Sequence, residues 1–311
     1  MLVTGGAGFI GSTLCDRLLA EGHRVVAVDD LTKGRIANLA EARGYGKQFT
    51  FTHMDVRSEG IRMLVGRHNP DVVFHLAAQA SVAASMSDPL LDASVNVIGL
   101  LNVLEAARGA GTRKVVFAGS GGTLYGDTRR LPAKESARRG AHPVSPYGIT
   151  KKVAEDYLRF YQGAHDLDFT MLALANVYGP RQDPHGEAGV VAIFAQRMLS
   201  GEDPVVFGDG EQTRDYVYVD DTVHAFALAA DRGSGEVLNI GTGEQTSVNR
   251  IFELIAGLTG FDRPAVHGPP REGDVRRSAL ANDLAASALG WKPWTGVEEG
   301  LKATVESFRP R

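Results

Sequence analysis

The chain has 311 residues, 43% hydrophobic and 23% charged, enough apolar material for one large α/β domain and a smaller companion. A net charge of −4 and a pI near 6.1, with no sizeable basic cluster, argue against a nucleic-acid surface. A single cysteine, Cys15, excludes an internal disulfide, and nine histidines without His-Glu-x-x-His or paired Cys/His spacing give a metal site no support.

In chain order, Leu2 to Thr4 reads as a short buried strand, after which Gly5, Gly6, Gly8 and Gly11 open a helix with Ile10, Leu14 and Leu18 on its apolar face. Cys15 falls on that helix and is expected in the core. Gly5 and Gly6 permit a tight turn, Gly8 lets backbone N–H groups approach a pyrophosphate, and Gly11 allows the helix to pack close to the strand. A second strand, Arg24 to Val28, ends in Asp29, eighteen positions beyond Gly11, where a carboxylate can bond an adenosine ribose. Strand, glycines and acid together predict a dinucleotide site. The carboxylate at Asp29 repels a 2′-phosphate and favours NAD over NADP, although Lys33 and Arg35 stand nearby.

Further strands are expected over Phe49 to Met54, Asp71 to Leu76 and Lys114 to Ala118, with helices around Arg57 to Arg67 and Pro89 to Arg108. Repeated β-α-β units imply a doubly wound parallel sheet with helices on both faces. Asp55-Val56 follows the third strand, where an adenine edge would lie; a helix cap is the bland alternative. His75-Leu-Ala-Ala-Gln-Ala80 leaves the fourth strand with small residues that leave room for a ligand, and Asn96 can pin a neighbouring loop. From about Asp183 the composition turns to Gly, Pro and Asp. Strands at Pro204 to Phe207, Arg214 to Val217 and Val237 to Ile240 alternate with helices near Val190 to Leu199, Asp221 to Ala230, Val248 to Leu258 and Val297 to Ser307. That suggests a substrate lobe, with the ligand in the crevice between the two. No charged segment with an apolar core precedes the glycines and no apolar run approaches membrane length, so a cytoplasmic protein is expected. Arg129-Arg130 and Arg138-Arg139 read as solvated loop charges.

Ser120-Gly-Gly-Thr-Leu-Tyr-Gly126 follows the fifth strand at the edge where sheet ligands bind. Ser145-Pro-Tyr-Gly-Ile-Thr-Lys151 then starts a helix running to about Tyr161, and Tyr147 and Lys151, four apart, share one face. A phenol must lose about 3 pKa units to act as a base at neutral pH, roughly 4 kcal/mol. An ammonium about 5 Å away, at an effective dielectric of about 20, supplies on the order of 3 kcal/mol. Tyr147 is therefore read as general base and acid, Lys151 as its pKa depressor and ribose anchor, and Ser120 or Thr123 as the hydroxyl partner of the reacting oxygen.

With these motifs, the chain resembles the extended short-chain dehydrogenase/reductases, of the NAD-dependent epimerase/dehydratase family, and within them the bacterial UDP-glucose 4-epimerases. The likeness runs from Val3 to about Ser307. It rests on Thr4-Gly-Gly-Ala-Gly-Phe-Ile-Gly11, His75-Leu-Ala-Ala-Gln-Ala80, Tyr147 with Lys151, Asn176-Val-Tyr-Gly-Pro-Arg181, Arg214-Asp-Tyr216 and Arg271-Glu-Gly-Asp274. The resemblance implies a Rossmann-type domain over 1–172, also receiving parts of 213–242, and a partly interleaved nucleotide-sugar lobe over 173–311. It implies NAD held by Gly5, Gly8, Phe9, Ile10, Gly11, Asp29, Asp30, Lys33, Asp55, Val56, Leu76, Ala77, Ala78, Asn96, Tyr147 and Lys151. It further implies a UDP-sugar bound by Ser81, Asn176, Arg181, Gly189, Val190, Val205, Phe207, Arg214, Arg271 and Asp274. Arg214 and Arg271 suit a diphosphate, Asp274 the uridine ribose, and Val190, Val205 and Phe207 the uracil, with a core role for the last three as the bland alternative. Arg214 beside Asp215 has a surface ion pair as its own bland reading.

The implied reaction takes hydride from sugar C4 to NAD and returns it to the other face. Two residues depart from the family pattern. Gly121 stands where the family usually places its catalytic serine or threonine, and Ala173 replaces an arginine three residues before Asn176. Dehydratases and decarboxylases of the family carry an acid in the segment of Gly121 to Thr123, and this chain has none. Arg181 leaves a UDP-glucuronate 4-epimerase open, if it grips a C6 carboxylate rather than bracing its loop. A dehydratase or reductase on the same scaffold, and a non-catalytic cofactor sensor, are the remaining readings. By resemblance the enzyme is a homodimer through helices near Leu90 to Ala107 and Tyr147 to Tyr161.

Overall fold

The computed structural model describes residues 1–126, 128, 130–185, 189–270 and 275–309, the side chain of Arg139 excepted. Arg271 and Asp274 lie outside the described residues. Thirteen strands are present among them: β1 (Leu2–Thr4), β2 (Val25–Asp29), β3 (Phe49–His53), β4 (Val72–His75), β5 (Lys114–Ser120), β6 (Asp168–Leu174), β7 (Asn176–Tyr178), β8 (Val205–Phe207), β9 (Thr213–Arg214), β10 (Tyr216–Tyr218), β11 (Glu236–Ile240), β12 (Thr246–Ser247) and β13 (Val266–Gly268). Seven form one parallel sheet in the order β11-β6-β5-β4-β1-β2-β3. This is a doubly wound Rossmann-type sheet, and its order reverses between β1 and β4.

β1, β2 and β4 are buried along their whole length, as befits parallel strands covered on both faces. On one face lie Leu14, Leu18 and Phe226, from the helices Phe9–Ala20 and Val219–Ala229. On the other lie Ile61, Leu64, Val103, Leu104, Ala154 and Leu158, from the helices Gly60–His68, Gly99–Gly109 and Pro146–His165. Cys15 is fully buried in the first of these layers, as expected. The strand β11, from far along the chain, completes the sheet edge beside β6. The remaining strands pair in three small two-stranded sheets.

Several elements differ from the sequence reading. β6 was not foreseen, because Asp168–Leu174 follows the helix Pro146–His165 with neither Gly nor Pro between them; the helix stops instead at Asp166, whose φ is +54°. The strand expected over Arg214 to Val217 splits at Asp215, so that β9 pairs with β12 and β10 with β7. The helical stretch from Pro89 to Gly109 contains one π-turn, Ser94–Ile98. Against the expectation, it is long and apolar enough to cross a membrane. Its Asp92 and Asn96 are buried and hydrogen-bonded within the protein, whereas Leu90 and Ile98 are exposed. Arg138 is not a solvated loop charge: it pairs with Glu155 at 3.1 Å and both side chains are mostly covered.

The first turn is the tightest part of the sheet. Gly5 has φ +67°, and a Cβ there would sit 2.8 Å from Ala77 N; a Cβ on Gly11 would overlap the Gly5 carbonyl oxygen. Gly11→Ala is expected to lower stability by about 1–3 kcal/mol through overpacking against backbone that cannot yield. Urea unfolding measures this, and an unchanged midpoint would contradict the packing described here.

Candidate functional site

The helix Phe9–Ala20 starts at Gly8 with no side chain capping it and no acidic residue in its first turn. Unpartnered N–H groups and the positive end of the helix dipole therefore face the end of β1, where a phosphate fits. Because added Cβ atoms at Gly5, Gly6 and Gly11 would collide with neighbouring atoms, the loop backbone stays bare and approachable. Asp29, at the end of β2, accepts hydrogen bonds from Ala7 N at 3.0 Å and Leu31 N at 2.8 Å. Burial pushes its carboxyl up, so this acid braces the glycine turn as well as ending the strand. Asp30 accepts from Thr32 N and is exposed, as is Lys33. Arg35 is drawn away into an ion pair with Asp183 at 2.7 Å.

At the end of β3, Asp55 makes a paired contact with Arg57, which holds its carboxyl below the usual range, and it does not cap the helix Gly60–His68, whose cap position is Glu59. Val56 is buried against Gly99. Phe9, Ile10 and Leu76 are half-buried against one core layer and Ala77 against the other, with Ala78 half-buried beside them. Thr4 Oγ1 accepts from Ala77 N at 3.2 Å and shares a hydrogen bond with His75 Nδ1 at 2.7 Å, joining the ends of β1 and β4. Asn96 pins the next loop as its sequence suggested: its Oδ1 accepts from Gln79 N at 2.9 Å and its Nδ2 donates to Gln79 O at 3.0 Å. Ser81 caps the helix Val82–Ser87 through Ala84 N.

Tyr147 and Lys151 lie on adjacent turns of the helix Pro146–His165, which begins at a Ser145 cap followed by Pro146. Both face inward, Tyr147 9% and Lys151 3% exposed. Lys151 Nζ donates to Ala118 O at 2.9 Å and lies 4.7 Å from the Phe117 ring centre and 5.7 Å from that of Tyr147. Burial lowers Lys151 to about 8, against an opposing push from Asp92. Burial pushes the Tyr147 phenol up to about 12, with a hydrogen bond to Ser120 pulling it down and Asp92 pushing it up. Desolvation thus works against the ammonium one turn away, raising the phenol and lowering the amine.

Of the two hydroxyls that the sequence left open, Ser120 is the one hydrogen-bonded to the Tyr147 phenol. Thr123, on the short helix Gly121–Leu124, turns back toward Ser120 O at 3.5 Å and does not meet the phenol. At Gly121 a Cβ would collide with Leu280 Cδ1 and lie 3.2 Å from Ala173 O, so a serine there requires the Leu280 side chain to move. Ala173 is itself fully buried in β6.

In the second lobe, Asn176 is exposed at the start of β7 and Arg214 is half-buried, with Nη1 donating to Thr213 O at 2.8 Å. The ion-pair reading of Arg214 with Asp215 fails, because the Asp215 carboxylate is buried and accepts from Thr242 N and Oγ1, Gly243 N and Leu280 N. Val205 and Phe207 line a cleft of about 400 Å³ with Ile193 and Arg197, while Val206 between them is fully buried. Val190 packs against the core instead, and Gly189 is the exposed cap of its helix. Arg181 follows the loop-bracing alternative. With φ +70°, it turns its guanidinium toward the first helix, 2.6 Å from Asp16 and 3.3 Å from Glu41, and so braces its loop rather than reaching for a sugar carboxylate.

Sequence reasoning missed Asp92, Gln79 and Thr150, which form a buried cluster with Asn96 behind the Tyr147 helix. An available signal was the i, i+4 spacing of Asp92 and Asn96 within an otherwise apolar helix.

Gly121→Ser is expected to lower the thermal midpoint by an amount equivalent to about 1–3 kcal/mol, since Leu280 is closely packed. Thermal unfolding tests this, and an unshifted midpoint would show that the position has room for a side chain.

The model of the NAD dependent epimerase/dehydratase family matches residues 1–241. A UDP-glucose 4-epimerase of Mycolicibacterium smegmatis is 51% identical over 310 residues, spanning 99% of this chain and 98% of that relative. Among solved structures, a UDP-glucose 4-epimerase of Thermotoga maritima with UDP-glucose superposes with a TM-score of 0.94 at 49% identity, covering 99% of this chain and 97% of that one. The Thermus thermophilus UDP-glucose 4-epimerase in complex with NAD gives 0.91 at 41% identity, covering 99% and 98%. With its parallel sheet, bare glycine turn and buried Tyr147–Lys151 pair, the chain belongs to the NAD dependent epimerase/dehydratase family.

Proposed function

We propose that this protein is an NAD-dependent isomerase that interconverts UDP-glucose and UDP-galactose by epimerisation at C4. The observation that carries the reading is the buried Tyr147 phenol, hydrogen-bonded to Ser120 and one helical turn from Lys151, at the edge of a sheet whose glycine turn suits a dinucleotide. Full-length likeness to UDP-glucose 4-epimerases, two of them solved with UDP-glucose or NAD, supports the same conclusion.

The glycine turn and the uncapped helix start are suited to the pyrophosphate of NAD, and Asp29 to its adenosine ribose. Bound in its oxidised form, NAD supplies a hydride acceptor and a positive charge. Tyr147 takes the proton of the sugar C4 hydroxyl and returns it, while Ser120 holds that oxygen in line and Lys151 favours the phenolate. Because burial, with Asp92 adding to it and Ser120 opposing it, leaves the phenol near 12, it is a poor base until positive charge accumulates beside it. That makes proton removal conditional on a filled site. Arg214 and Asn176 suit the diphosphate, with Val205 and Phe207 beside the uracil; Arg271 and Asp274 complete that set by sequence alone.

The neutral-sugar reading is favoured over a uronate because the Arg181 guanidinium is engaged with Asp16 and Glu41. Dehydration is disfavoured by the lack of any acid between Gly121 and Thr123.

Proton NMR of UDP-glucose incubated with the protein and no added cofactor should show UDP-galactose, without lasting growth of the reduced-nicotinamide absorbance. Tyr147→Phe should lower kcat by about 10²–10⁴. A silent substitution would remove Tyr147 from the reaction.

The same reading includes a homodimer. Leu90, Ile98, Ile149 and Phe160 are 51–83% exposed on the two helical stretches expected to pair with a second copy. Light scattering should give twice the chain mass, and Ile98→Asp with Phe160→Asp should give a monomer. A monomeric wild-type protein would refute this arrangement.

A further inference from the structure

Asp92 is fully buried, yet among the described residues every donor that reaches its carboxylate is uncharged. Oδ1 accepts from Gln79 Nε2 at 2.9 Å and Asn96 Nδ2 at 3.0 Å, and Oδ2 accepts from Thr150 Oγ1 at 2.9 Å. A buried anion held by neutral donors alone is costly, so a role for its charge is to be sought nearby. Thr150 directly precedes Lys151, and its hydroxyl also lies 3.0 Å from Tyr147 O.

The groups that face the Lys151 ammonium can be enumerated. Its own helix contributes the Tyr147 phenol, β5 contributes the Phe117 ring and Ala118 O, and β4 contributes His75. Burial holds His75 near 3, so it is neutral. Asp92, on the helix that begins at Pro89, is the one formal negative charge among them.

We infer that Asp92 is a positioning residue for the Tyr147–Lys151 pair: it ties their helix to the Gln79 loop and to the helix from Pro89, and its charge keeps Lys151 an ammonium. Asp92 opposes the burial that lowers Lys151 to about 8. Without it, Lys151 gives up its proton at lower pH. The same carboxylate also pushes the phenol up, so its charge favours a neutral phenol beside an ammonium. This inference rests on the roles proposed above for Tyr147 and Lys151.

The test is an NMR titration of full-length protein labelled with carbon-13 at lysine Cε, the Lys151 signal being assigned by its loss in Lys151→Arg. In Asp92→Asn the Lys151 midpoint should move to lower pH by about one unit or more. The alkaline limb of kcat should move the same way, with KM for UDP-glucose little changed. Coincident midpoints, or a fall in kcat that is uniform across pH, overturn the inference. The titration needs no turnover, so an inactive wild-type protein would count against the epimerase reading while Asp92 is still tested. Should Asp92→Asn not fold, Thr150→Val keeps the charge and removes the hydroxyl link: kcat should fall roughly tenfold with the Lys151 midpoint unmoved. Wild-type kcat in that variant also overturns the positioning role.

Discussion

Desolvation of the Tyr147–Lys151 pair governs the chemistry that the rest of the fold is arranged to support. Taken out of water, each group drifts toward its neutral form, the ammonium toward 8 and the phenol toward 12. Fixed partners already temper these displacements: Ser120 pulls the phenol down and the Asp92 charge pushes the ammonium up, while Lys151 Nζ also meets Ala118 O and the Phe117 ring.

The parallel sheet explains why these groups meet where they do. The order β11-β6-β5-β4-β1-β2-β3 brings the ends of β1, β4 and β5 side by side, so the glycine turn, the His75–Ala78 segment and Ser120 share one edge. Thr4 and His75 join the first two of these, and Asn96 with Asp92 fixes the loop that follows. The second lobe is held to that edge by charge. Arg181 reaches Asp16 and Glu41, and Arg35 reaches Asp183, so the loop after β7 is fastened to the helix and turn that follow β1 and β2. These contacts are half-exposed, and their value lies in orientation more than in net stability.

Much of this was legible from residues alone, for reasons that differ by element. The glycine turn could be read because only glycine tolerates φ +67° with Ala77 N that near, and β1, β2, β4 and β5 because continuous apolar runs punctuated by turns are characteristic of buried parallel strands. Tyr147 and Lys151 could be read because four-residue spacing fixes a common helix face. What sequence did not reveal depends on tertiary contact. Nothing local marks Asp168–Leu174 as a strand, since an apolar run after a long helix suits either structure. Arg181 sits in the motif beside the expected sugar pocket, but its direction is decided by Asp16 and Glu41, more than a hundred residues away. The balance at Tyr147 depends on how fully the phenol is covered, a quantity that residue spacing does not give.

Position 121 shows how such distant contacts settle a catalytic detail. Asp215, between β9 and β10, accepts the N–H of Leu280 and of Gly243, and so fixes where Leu280 enters the core. Leu280 then occupies the space that any side chain at 121 would need, against Ala173 O of β6. A side chain at 121 therefore requires Leu280 to move, whereas Ser120, the last residue of β5, meets the phenol from the neighbouring position. A carboxylate between β9 and β10 thus shapes, through one leucine, the space beside the strand end that carries Ser120.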